Sequence, residues 1–145
     1  MNGSGQRIFL GRGGGGSARQ DFGLLFLRVA VGASLFLKHG WEKISDFSRM
    51  AQHFPDPIHI GPVPSLAIAL AGDAICSLLV MLGFFTRPAA FFAACNIAVA
   101  WTLVHHLAFF GHGNGPDHGE VCVLYIAVLL SLAIAGPGRY SLDRG

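Results

Sequence analysis

Residues 66–85 read LAIALAGDAICSLLVMLGFF, a stretch in which Asp73 is the one charged residue. An α-helix rises 1.5 Å per residue, so a helix of about 20 residues crosses the hydrocarbon core of a bilayer, which is roughly 30 Å thick. Pro64 and Ser65 precede the stretch and suit the start of a helix, while Pro88 follows it and ends the pattern. The stretch therefore predicts a transmembrane helix.

Three further apolar stretches cover residues 22–37, 88–110 and 119–135, and the first continues as an amphipathic pattern to residue 44. A soluble bundle of unusually apolar helices is the alternative, but it would need a polar stripe on each helix. The last three stretches lack such a stripe. The sequence therefore predicts an all-α fold, an integral membrane four-helix bundle.

The composition supports a membrane protein and disfavours several other classes. Of the 145 residues, 52% are apolar and 12% are charged, with a mean hydropathy of +0.54. A soluble domain carries about 25% charged residues. The net charge of +2 and the scattered Lys and Arg residues indicate no nucleic-acid partner. Cys76, Cys95 and Cys122 lie in apolar stretches without a CxxC pair, which favours small buried hydrophobic side chains over a zinc site or a disulfide framework.

Residues 1–20 differ from the rest of the chain because they are rich in Gly and Arg. Such a segment cannot bury a core, so we predict a disordered N-terminal tail over 1–20 and one four-helix domain over 21–145. The tract 11–16 formally contains the GxGxxG pattern of dinucleotide-binding loops. No strand is predicted before it, so that interpretation fails its structural requirement.

The distribution of Lys and Arg predicts the orientation in the membrane. Four spans place both termini on one side, which collects six arginines: Arg7, Arg12, Arg19, Arg87, Arg139 and Arg144. The flanks on the other side hold Lys38, Lys43 and Arg49. Because positive charge accumulates on the cytoplasmic side, both termini are expected in the cytoplasm of a bacterial inner-membrane, multi-pass protein.

Polar residues inside the apolar stretches are candidate site residues, because an unpaired charge in a membrane is costly. Arg28, Asp73 and Asn96 lie well inside the first three stretches. Counting helical rises from opposite ends places Arg28 and Asp73 at depths about 10 Å apart, within reach of an arginine side chain. We therefore predict an Arg28–Asp73 ion pair, whose role is either functional or only to fix the helix register.

A second polar layer is predicted near the outer surface, formed by Lys38, His39, His106 and Glu120. His39 shares a helix face with Arg28, and His106 shares one with Cys95 and Thr102, so we expect both histidines to point inward. The layer would line the mouth of a pocket that opens to the extracytoplasmic side.

All seven histidines fall on that predicted outer side, which leaves metal binding as an alternative. Their spacing is irregular, however, and no HxxxH or HExxH pattern is present. Interfacial histidines that titrate near neutral pH are the favoured interpretation, so no metal site is predicted.

Four segments resemble the DoxX family of small four-helix membrane proteins. They read LRVAVG at 27–32, FLKHGWEKI at 36–44, LGFFTR at 82–87 and GPGRYSLD at 136–143. The resemblance covers about residues 22–143, and the last segment is its most specific part. The family usually carries Glu in the middle of its second helix, where this chain has Asp73.

The resemblance implies two functions of different classes. Family members are linked to membrane redox systems, including quinone-reducing thiosulfate oxidation and thiol stress responses, whereas distant relatives act as membrane chaperones or cargo receptors. The first hypothesis is a subunit of a bacterial membrane oxidoreductase that holds a quinone or a similar small apolar ligand near Arg28, Asp73 and His106. The second is a non-enzymatic scaffold or chaperone that recruits partner proteins. A transporter is less favoured, because no inverted repeat or broken helix is visible.

The expected partners are therefore the lipid bilayer, soluble or membrane-bound redox subunits, and a second copy of the chain. No nucleophile triad or haem-attachment motif is present, so the sequence assigns no catalytic residue.

Overall fold

The computed structural model describes residues 18–105, 107 and 119–143, and the regular elements in these ranges are all helical. They are α1 (Ala18–Ser45), α2 (Phe47–Met50), α3 (Pro62–Leu82), α4 (Thr86–Val104) and α5 (Gly119–Ala135). Helices α1, α3 and α4 are long and apolar enough to cross a membrane, and α5 is a shorter apolar helix of 17 residues. The predicted all-α, integral membrane four-helix bundle is confirmed, with three helices of spanning length and a shorter apolar fourth.

The predicted tail over 1–20 lies outside the described residues except for its last three residues. Those three belong to α1, which begins at Ala18.

Small side chains hold the bundle together. Helix α4 presents Ala89, Ala90, Ala93 and Ala94, all buried, to α5, which contributes the buried Leu129 and Leu132. Small residues let helices approach closely where lipid removes most of the hydrophobic driving force between them. Large apolar side chains cover the outside, as lipid-facing surfaces require; the Ile134 side chain, for example, is 80% exposed.

The three longest helices each contain a turn of π-helix: Phe36–Gly40 in α1, Ala71–Cys76 in α3 and Ala100–Val104 in α4. In α4, for instance, the His105 amide donates to the Ala100 carbonyl at 3.0 Å, five residues back. Such turns are rare in helices and are frequent at functional sites, because the extra residue redirects the side chains around it.

The end of the bundle that carries residues 136–143, here called the tail end, is closed by these residues. They fold back across the turn between α3 and α4, where the Asp143 amide donates to the Gly83 carbonyl at 2.8 Å. The Asp143 carboxylate accepts the Phe85 and Thr86 amides at 2.9 Å each, which caps the start of α4. The hydrogen bond from the Thr86 amide lowers the pKa of Asp143 most, and the one from the Phe85 amide lowers it further. The segment is therefore an integral part of the fold.

Arg28 lies at the tail end, and the predicted Arg28–Asp73 pair is wrong. The buried guanidinium donates to the carbonyl of Tyr140 and lies against Gly83. Gly83 comes ten residues after Asp73, a separation of about 15 Å along α3. The counting assumed that the ends of α1 and α3 lie level, whereas α1 begins ten residues before Arg28, and Arg28 lies beside Gly83 at the C-terminal end of α3.

Candidate functional site

A cavity of about 730 Å³ lies between α1, α3, α4 and α5 at the end of the bundle opposite the tail end, here called the loop end. Its wall is mostly apolar, with contributions from all four helices that include Leu35, Ile68, Ile97, Val104 and Tyr125. The polar groups on the wall come mainly from α1, α3 and α4. They include Lys38, His39, Glu42, Lys43, Asp73 and Asn96. The space is therefore amphipathic, with an apolar body and one polar side.

The polar side is organised by Asp73. One carboxylate oxygen accepts the Lys43 ammonium at 2.7 Å, and the other accepts the Asn96 side-chain amide at 2.9 Å. The side chains of Lys43 and Asp73 are only 11% and 10% exposed. We call these three residues the Asp73 cluster. It ties α1, α3 and α4 together, and it places a cation, an anion and an amide on the wall of an otherwise apolar cavity.

Two glycines make the Asp73 cluster possible. A Cβ atom on Gly40 would lie 2.8 Å from the Asp73 carbonyl oxygen, so α1 can approach α3 this closely only without a side chain there. A Cβ atom on Gly72 would lie 2.6 Å from the Asn96 side-chain nitrogen. Both positions therefore need glycine for packing.

The π-helical turns place the polar residues at the cavity. Lys38 and His39 lie on the π-turn of α1, and Asp73 lies on that of α3. The Ser77 hydroxyl donates to the carbonyls of Asp73 and Ala74 at 2.6 and 2.8 Å, one turn back along α3. The polar groups are thus held on hydrogen-bonded helical backbone.

Residues 46–61 connect α1 to α3 and cover the loop end of the cavity, where Met50, His53 and Phe54 contribute to the wall. Asp56 anchors this connection by accepting the Gly61 amide and the Ser65 hydroxyl, each at 2.7 Å. The hydrogen bond from Ser65, followed by those from backbone amides, lowers the pKa of Asp56. The anchor is therefore ionised at neutral pH and weakens only as the pH falls below the usual range of an aspartate, about 4.

The structure gathers some of the predicted site residues and separates others. Lys38, His39, Asp73 and Asn96 lie on one cavity wall, whereas Arg28 lies at the tail end. Glu120 is exposed in the first turn of α5 and does not contribute to the cavity wall. His106 lies outside the described residues.

Two expectations about α4 and the cysteines need correction. Cys95 and Thr102, predicted to face inward, are exposed, because α4 turns its alanine-rich side toward α5. Cys76 and Cys122 are half-buried free thiols, as small apolar residues would be. Within the described ranges, no three His, Cys, Asp or Glu side chains come close enough together to hold a metal ion.

Lys43 was missed as a site residue, although the sequence held a signal for it. It follows His39 by four residues and so continues the helix face of Arg28, Gly32, Leu35 and His39. Lys43 was counted among the charges that flank the helix. In the structure it lies within α1, which extends as far as Ser45.

The comparisons agree with this architecture. The pattern of the DoxX family matches residues 23–106. The chain is 35% identical to the inner membrane protein YphA of Escherichia coli, over 86% of this chain and 94% of that protein. It is 32% identical to the inner membrane protein YqjF of the same organism, over 86% and 92% of the two chains. No solved structure matches the chain. A match over more than half of the chain, together with relatives that align over most of their length, shows that the protein is a membrane protein of the DoxX family.

Proposed function

We propose that the cavity binds a quinone or a similar small apolar ligand, and that the protein serves as a quinone-interacting subunit of a membrane oxidoreductase. The observation that carries this proposal is the Asp73 cluster on the wall of an apolar cavity. A quinone ring is flat and apolar but has two carbonyl oxygens that accept hydrogen bonds. The Lys43 ammonium and the Asn96 amide are donors at the polar side, and the neighbouring walls suit the ring.

The titratable groups around the cavity suit proton transfer. Two-electron reduction of a quinone to a quinol takes up two protons, one at each oxygen. Lys43 and His39 lie on the same wall as Asp73, so proton donors and an acceptor are adjacent. The electrons would come from a partner subunit of the oxidoreductase.

The proposal is tested by purifying the protein in mild detergent and quantifying extracted quinone by mass spectrometry. Ala100 is half-buried on the cavity wall, so Ala100→Trp should fill the cavity and reduce bound quinone at least tenfold. Cys95→Trp adds the same ring to an exposed position of α4 outside the cavity wall and should carry as much quinone as the natural protein. Equal amounts in all three proteins, or none in the natural protein, would overturn the proposal.

A non-enzymatic scaffold that recruits partner proteins is the second candidate. The observation in its favour is that Arg28 and Asp21, both buried, contact the C-terminal segment: Arg28 donates to the Tyr140 carbonyl, and Asp21 accepts the Arg139 amide at 3.0 Å. These polar groups fix structure and lie away from the cavity. A natural protein that purifies without quinone, but in a defined complex with another membrane protein, would favour this candidate.

We further propose that both termini lie in the cytoplasm, which the arginines beside the tail end support. Arg19, Arg87 and Arg139 are exposed there. Alkaline phosphatase is active only outside the cytoplasm, so a fusion after Gly145 should be inactive and one after Gly113 active. A green fluorescent protein fusion at the same two points should give the opposite pattern. Like readouts at both points would contradict a four-span topology.

A further inference from the structure

A second, smaller cavity of about 320 Å³ lies on the outside of the bundle between α1 and α5. Ala30 and Ser34 on α1 and Leu124 and Val128 on α5 are among its lining residues, and no lining residue is charged. We call this space the α1–α5 groove. It faces the surroundings of the bundle, which in a membrane are acyl chains, so its apolar wall suits a hydrocarbon chain.

The α1–α5 groove shares a wall with the cavity at the loop end. Val121 and Tyr125 line both spaces. The Tyr125 hydroxyl lies 2.5 Å from the Ser34 hydroxyl, and this hydrogen bond joins α5 to α1 where the two spaces meet. A path from the interior to the membrane would therefore run from the Asp73 cluster, past Tyr125, to the α1–α5 groove.

The connection between the two spaces can open at low cost. A single hydrogen bond between side chains contributes little to the stability of a membrane protein on average. Both hydroxyls belong to exposed or half-buried residues, so neither is fixed by a surrounding core. Residues 46–61 cover the cavity at the loop end, whereas the groove offers a ligand dissolved in the bilayer a direct approach.

We infer that the ligand carries a long apolar tail, that the tail lies in the α1–α5 groove, and that the ligand enters the cavity laterally from the bilayer past Ser34 and Tyr125. This inference rests on the proposed quinone-binding function and specifies its ligand class, a quinone-type lipid with an isoprenoid or alkyl chain. The head lies at the Asp73 cluster, and the chain leaves the cavity beside Tyr125.

The test compares two probes that share one ring, a benzoquinone without a tail and its decyl homologue, in phosphatidylcholine nanodiscs. Ala30→Trp fills the groove from an exposed position, and Val29→Trp places the same ring on an exposed neighbour that does not line it. Ala30→Trp should weaken decyl-quinone binding at least tenfold and leave binding of the tail-less probe unchanged. Val29→Trp should change neither. Each affinity is compared with that of the natural protein for the same probe in the same nanodisc. The partitioning of the probe into lipid is then equal on both sides of the comparison.

Leu124→Trp fills the groove from α5 and should repeat the result of Ala30→Trp, which guards against a folding defect specific to α1. If both probes bind the natural protein and neither groove variant weakens decyl-quinone binding selectively, the groove inference is overturned while the proposed function stands. If neither probe binds the natural protein, the proposed function fails and the groove inference fails with it.

Discussion

Replacing Lys43 by methionine is expected to destabilise the protein by about 3–5 kcal/mol, the usual cost of breaking a buried ion pair by removing one partner. Methionine keeps much of the volume of the lysine stem, so the loss reports the charge. The Asp73 carboxylate would keep its hydrogen bond from Asn96 but would lose its counter-charge where its side chain is only 10% exposed. The measurement is the free energy of unfolding in mixed detergent micelles.

Two companion variants make this prediction specific. Lys43→Met combined with Asp73→Asn removes both charges and should recover a large part of the lost stability, because no lone charge remains. Arg49→Ala breaks the exposed pair with Asp46 and should cost less than about 1 kcal/mol. A double variant that is no more stable than Lys43→Met would show that the two residues are not energetically coupled.

Gly83→Ala is expected to cost at least about 2 kcal/mol and to detach the C-terminal segment from the bundle. Gly83 has φ +70°, a conformation that costs an L-residue about 1–2 kcal/mol. In addition, its new Cβ atom would overlap the buried Arg28 guanidinium and lie 2.6 Å from Ser141 Cβ. Since Arg28 holds the Tyr140 carbonyl, displacing it should release the segment.

Limited trypsin digestion at Arg139, followed by mass measurement, reports that release. Cleavage should be at least several times faster in Gly83→Ala than in the natural protein. Gly23→Ala is the matched control, because its Cβ would meet no atom within 4 Å. Unchanged cleavage in Gly83→Ala would show that Arg28 and Gly83 do not hold the C-terminal segment in place.

The sequence was sufficient for the helical membrane fold because hydropathy and helix length are local properties. The apolar stretch 66–85 predicted α3. The apolar stretch 119–135 predicted α5, which ends in the structure at Ala135, directly before Gly136 and Pro137. The helix faces were harder to predict. The π-turns at Phe36–Gly40, Ala71–Cys76 and Ala100–Val104 add a residue each and rotate the following face, which a regular 3.6-residue count cannot anticipate.

In the candidate site, too, individual residues were predictable but their contacts were not. Asp73 and Asn96 were recognisable because polar groups within apolar stretches stand out individually. Their partners depend on the relative heights of three helices, so Arg28 was paired with Asp73 in place of Lys43. The glycines would have helped to predict these contacts, because Gly40 and Gly72 lie where α1 and α4 approach α3 closely.

Photoaffinity labelling with an azidoquinone in intact membranes, with adducts mapped by mass spectrometry, tests quinone binding at the Asp73 cluster most directly. We expect adducts on the cavity wall, within residues 35–43 of α1 and 97–104 of α4, and we expect excess unlabelled quinone to suppress them. Adducts confined to outward-facing positions such as Phe26 and Phe91, or adducts that unlabelled quinone does not suppress, would contradict quinone binding at the Asp73 cluster.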